Sequence, residues 1–159
     1  VFEHYPITQG NQMASINDIS PKWASRVIFL SVLLLFFTIP HTLEDFAAGE
    51  PAKAGIPAPA IASVISVLIA LQAIGLFWLG QKRPWGLFVH IGIGLFWSIA
   101  SGIAQLPTIL SDTPYRSGFI SVLYVAGMIV IGVAICIAAI LSLKVDSKTS
   151  NRAGEHEKI

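Results

Sequence analysis

Apolar residues in this chain are gathered into four long runs rather than spaced at strand or surface-helix periods, and each run closes at a short break rich in glycine and proline. The runs cover residues 23–39, 59–80, 86–106 and 118–143. A helix needs roughly 20 mostly apolar residues to cross a hydrocarbon core of about 30 Å, and all four meet or approach that length. The first is short unless its helix continues through Pro40. The breaks read "AAGEPAKAGIPAP", "GQKRPWG" and "LPTILSDTPYRSG", all strong punctuation for a helix. No obvious repeat recurs at a fixed period. The pattern predicts an all-α integral membrane protein: an antiparallel four-helix transmembrane bundle over residues 22–145, with polar tails at 1–21 and 146–159.

Within the runs, the small and polar positions predict which faces turn inward, because in lipid such residues turn towards neighbouring helices. His90, Gly94, Ser98, Ser101 and Gln105 follow one another at steps of four, four, three and four, a single stripe on the third span. Ser63, Ser66, Ala70 and Ala73 form a similar stripe on the second span, with Gln72 beside it. Ser31, Thr38, Thr42 and Asp45 mark the first span, and Ser121, Tyr124 and Met128 the fourth. Gln72, His90, Ser98 and Ser101 thus make up an expected intramembrane polar stripe. Its plain interpretation is helix packing with interhelical hydrogen bonds, and His90 in particular reads as a satisfied interfacial histidine.

Composition and charge fix the setting. Of 159 residues, 54% are hydrophobic and 12% charged, against about a quarter charged in soluble domains. A formal charge of +1, with no basic run interleaved with aromatics, gives no reason to expect nucleic acid. The single cysteine, Cys136, lies in an apolar stretch and has no partner for an internal disulfide. Lys22 and Arg26 precede the first span, Lys82 and Arg83 separate the second from the third, and Lys144 and Lys148 follow the fourth. The positive-inside rule then puts both termini in the cytoplasm and the 41–58 and 107–117 loops outside, in a multi-pass protein of a cytoplasmic (inner) membrane. A signal peptide competes for the first span, but its apolar run ends about ten residues before the small-residue "AAG".

Candidate chemistry concentrates where the first run stops, at "FFTIPHTLEDF". Pro40 either kinks a continuing membrane helix or opens a short surface helix. In both cases His41 lies one turn from Glu44 and Asp45, within side-chain reach. Chain direction brings Gln105 and Tyr124 to the same outer level, so His41, Glu44, Asp45, Gln105 and Tyr124 form a candidate ligand or partner pocket. Glu50 and Lys53 stand at its rim. The competing reading is an interfacial helix cap. Adjacent carboxylates diverge by about 100° on a helix, which disfavours a metal site, and His41 and His90 lie at opposite faces, which disfavours bis-histidine haem. No catalytic residue, metal or cofactor is assigned, and no phosphate loop, HExxH or serine elbow occurs. The expected function is an accessory or interaction subunit of a larger membrane complex, packing through Gly127, Gly132, Ala134 and Ala138 against lipid-embedded partners or further copies of itself. The alternative is a small-molecule or ion-binding membrane protein, a transporter or lipid-modifying enzyme, that uses the outer pocket.

Overall fold

The computed structural model describes residue 19 and residues 21–111 and 115–156, with side chains over 19, 22–111 and 115–144. The expected amino-terminal tail, apart from Ile19 and Pro21, lies outside the described residues. The elements are α1 (Pro21–Ala47), α2 (Glu50–Lys53), α3 (Ala58–Gly80), α4 (Trp85–Ile109) and α5 (Phe119–His156), with no strand among the described residues. Four of them are long and apolar enough to cross a membrane: Lys22–Ala47, Ala58–Gly80, Trp85–Ile109 and Phe119–Lys144.

The first apolar run does not end its helix. α1 continues through Pro40 for another seven residues, to Ala47. Proline there removes only the N–H that would reach the Phe36 carbonyl, a loss membrane helices tolerate. Likewise, α4 extends past Pro107 to Ile109. The α1 extension carries His41, Glu44 and Asp45 on regular helix, and Gln105 stands on α4 just before Pro107. At the opposite end, α3 stops in a reciprocal cap. Lys82 adopts φ 58°, so its N–H reaches Leu79 O at 2.9 Å and the Arg83 N–H reaches Trp78 O at 2.9 Å. This pattern usually selects glycine.

α5 is the central post, packing most extensively on α4 and next on α1, while α3 leans mainly on α4. Glycine makes the closest crossings. A Cβ on Gly94 would stand 2.6 Å from the Gly132 carbonyl oxygen, and one on Gly132 would stand 2.6 Å from the Gly94 carbonyl oxygen. Gly127 lies against the ring of Phe37. Gly75 faces His90, and Gly86 faces Leu79 and the Gly75 carbonyl, so α3 and α4 approach closely near their shared turn. Ile19, two residues before α1, reaches that turn, its N 3.4 Å from Lys82 O.

This packing corrects the expected docking face on the fourth span. Gly132 is buried in the α4 crossing, Gly127 is occupied by Phe37, and Ala138 is 8% exposed. Ala134 and Gly127 of that set are half-buried, Gly127 against the Phe37 ring. Gly127, Gly132 and Ala138 of α5 are thus engaged within the chain's own helix pairs. On α3 the outcome is the reverse: Ser63 and Ser66 are exposed, and each hydroxyl bonds to the carbonyl one turn earlier, Pro59 O and Ala62 O, at 2.8 Å.

Candidate functional site

Two polar groups occupy the bundle, at different depths. The inner one joins three helices. Gln72 Nε2 on α3 donates to Ser31 O and Oγ on α1, at 2.9 and 2.8 Å. His90 on α4 has Nδ1 2.7 Å from Gly86 O and Nε2 3.0 Å from Ser31 Oγ. A carbonyl only accepts, so Nδ1 carries the hydrogen, and in the neutral ring Nε2 accepts from the Ser31 hydroxyl. Each functional group then has a partner, and Gln72, His90 and Ser31 are at most 1% exposed. Ser98 and Ser101 stand apart from this triad. Ser98 donates to Ile129 O at 3.2 Å, and Ser101 contacts Met128 Sδ at 3.8 Å. These four stripe residues tie helices together at two separate places.

The outer group lines a cleft of about 790 Å³ between the end of α1, α2, the start of α3, the end of α4 and the loop before α5. Glu44, Asp45 and Gln105 contribute to its wall, as do Glu50 and Lys53 from the short α2. His41 lies behind the wall, 4% exposed. Its Nδ1 is 3.9 Å from Glu44 Oε2 and its Nε2 3.6 Å from Asp45 Oδ1, beyond hydrogen-bond range. Within the described residues, His41 Nδ1 and Glu44 Oε2 are buried atoms with no hydrogen-bond partner. The other Glu44 oxygen accepts from Ser121 Oγ at the start of α5.

Tyr124 does not join this group. It lies three residues beyond Ser121, about one turn deeper and rotated by about 60°, and its ring packs edge-on to Phe37 at 6.5 Å between centroids. Tyr115 and Arg116 occupy the place expected for it. Arg116 contacts Asp45 through Nη1 and donates from Nη2 to Gln105 Oε1 at 3.2 Å, with Glu50 Oε2 3.8 Å away. Tyr115 donates its hydroxyl to the same Gln105 oxygen at 2.7 Å, and the Arg116 guanidinium lies over its ring, 5.0 Å from the centroid. Burial first, then the negative charges of Glu44 and Glu50, push the Tyr115 phenol up to about 12. Burial lowers the Arg116 pKa, and Glu44 opposes that shift.

Arg116 is the residue that reading the sequence undervalued. A single arginine in a loop expected to lie outside registers as a topology marker, yet here it folds back on two carboxylates, Asp45 and Glu50, and on the Gln105 amide. Its adjacency to Tyr115, at the level of Gln105 and Asp45, was the available signal. Chemically, the wall offers hydrogen-bond donors and acceptors of both charge signs beside apolar side chains of Ile61, Ile65 and Ala104. Among the described residues, no three His, Cys, Asp or Glu side chains converge to hold one metal ion. The chain matches no family model, characterised protein or solved structure.

Proposed function

We propose that the chain is a multi-pass protein of a cytoplasmic membrane, an antiparallel four-helix bundle with both termini inside, that binds a small molecule in its outer cleft. Alternation of direction is supported by the two ends of the molecule: Ile19 and Lys82 meet at one, Glu44 and Ser121 at the other. Lysine and arginine at positions 22, 26, 82, 83 and 144 favour the first end as cytoplasmic. The observation that carries the binding reading is the cleft itself. Its volume is in the range of small-molecule sites, and a few convergent polar groups flank an apolar wall.

Transport through the bundle has less support. Gln72, His90 and Ser98 are absent from the lining of the cleft, and Gln72 and His90 are closed on Ser31. The expected role as an accessory subunit or homo-oligomer keeps one observation in its favour, now on another helix. Ala62, Ser63, Ser66, Ala70 and Ala73 of α3 are exposed and would admit a close helix neighbour.

The test compares molecules carried by the purified wild-type protein and by Ala104→Trp, a change that fills the cleft from an exposed position. The expected result is one compound near stoichiometric amounts in wild type and lost from the variant, both being equally helical. Equal cargo would overturn the binding reading. In a Cys136→Ala background, Glu50→Cys should react with an impermeant maleimide from outside, and Lys82→Cys only after permeabilisation; the reverse would overturn the orientation.

A further inference from the structure

Resting on the reading of the cleft as a binding site, we infer that its occupant is a membrane lipid with a zwitterionic head carrying a primary ammonium group, received sideways between α3 and α4. The apolar part of the wall sets the direction of approach. Ile61 and Ile65 stand three and seven residues into α3, about 5 and 10 Å along the helix, and Ala104 stands five residues before the end of α4. All three belong to segments long and apolar enough to cross a membrane. The closest approaches of α3 and α4, at Gly75 and Gly86, lie near their shared turn, so the two helices flank the cleft at their other ends. A tail can lie along Ile61 and Ile65 while the head remains beside α2.

The polar part sets the head group. Among the described residues of the cleft wall, Arg116 contacts Asp45 and Lys53 donates to Glu50 at 2.9 Å, with Glu44 as a third acid, so a purely anionic head meets three carboxylates and a purely cationic one meets two fixed cations. A zwitterion can lie with its phosphate towards the cations and its ammonium towards the carboxylates. Among the described residues of the wall one carboxylate remains in excess, which favours a head that donates hydrogen bonds. A quaternary ammonium donates none and is usually held in an aromatic cage. Here the lining aromatics among the described residues are Phe46 and Tyr115, with Arg116 over the Tyr115 ring.

The experiment is a lipid titration of the full chain in detergent micelles, read by native mass spectrometry, with phosphatidylethanolamine and phosphatidylcholine of identical acyl chains. Soluble phosphoethanolamine is added as a competitor. The expected result is about tenfold tighter binding of the ethanolamine lipid, the size of one charge-assisted hydrogen bond. Glu50→Gln should shrink that ratio, and Ala104→Trp should remove tight binding, with Thr108→Trp as a second filling variant and helicity checked for each. Equal affinity for the two lipids, still lost in the filled variants, would overturn the head-group inference and leave the cleft reading standing. Lipid binding unchanged by both filling variants would overturn both. Soluble phosphoethanolamine competing as strongly as the lipid would overturn lateral access from the bilayer.

Discussion

Gly132→Ala adds one methyl group at the close backbone crossing of α4 and α5, and its consequence can be worked from the coordinates. The new Cβ would stand 2.6 Å from the Gly94 carbonyl oxygen and closer still to Ser98 Oγ. Ordinary contact begins near 3.4 Å, so 3.4 − 2.6 gives 0.8 Å that the α4 and α5 backbones must yield. Ser98 can rotate away, but it then gives up its bond to Ile129 O; the carbonyl belongs to the helix and cannot. Overpacking of this kind costs about 1–3 kcal/mol. Gly94→Ala meets the mirror-image obstruction, the Gly132 carbonyl oxygen at 2.6 Å and Cys136 Sγ at 2.9 Å. One separation of the helices relieves both, so the double variant should be less destabilised than the sum of the singles. Gly92→Ala is the internal control on α4: its Cβ meets nothing within 4 Å, and replacing glycine within a helix should be neutral or stabilising by about 0.5–1 kcal/mol. Reversible unfolding in mixed micelles, followed by loss of helicity, measures all four proteins. Gly132→Ala as stable as Gly92→Ala, or strict additivity in the double variant, would refute the crossing.

Two further outcomes concern the polar groups. Ser31→Ala removes the hydroxyl shared by Gln72 and His90 and should cost about 1–2 kcal/mol in the same assay, given roughly 0.6 kcal/mol for an average membrane hydrogen bond and the histidine nitrogen left unpartnered; no loss would mean the triad contributes nothing. Absorbance titration near 295 nm should show a phenol ionising at about 12 that disappears in Tyr115→Phe. Because the folded value lies above the ordinary 10, the linked stability is complete below about pH 10 and falls as pH rises towards 12.

The number of apolar helices could be read directly from run length, because a hydrocarbon core imposes its thickness on any helix that crosses it. Their ends were less legible. A proline in an apolar run reads as a stop, yet at Pro40 and Pro107 the helix continues, since a single lost N–H does not outweigh the ladder around it. The third-span stripe names buried positions at His90, Gly94 and Ser101, because an imidazole or a glycine at a crossing has few alternatives. Serines on α3 follow the same spacing and face outward, because a serine hydroxyl bonds its own preceding turn and needs no neighbouring helix. Around His41 the two acids were within view as near neighbours in sequence, whereas Arg116 lies 71 positions from Asp45. No local periodicity encodes a contact formed by a loop folding back.

The inner triad also bears on how such a chain is made. α5 leaves the ribosome after α1 to α4, although it is the helix on which α1 and α4 pack most, so the earlier helices form without their principal neighbour. Ser31, Gln72 and His90 belong entirely to α1, α3 and α4, so their hydrogen bonds can close before α5 arrives. A nascent chain paused after α4 would therefore hold its buried amide and imidazole satisfied against lipid. The side of that three-helix intermediate awaiting α5 would still carry Gly94, Ser98 and Ser101, the small and polar residues that α5 then covers.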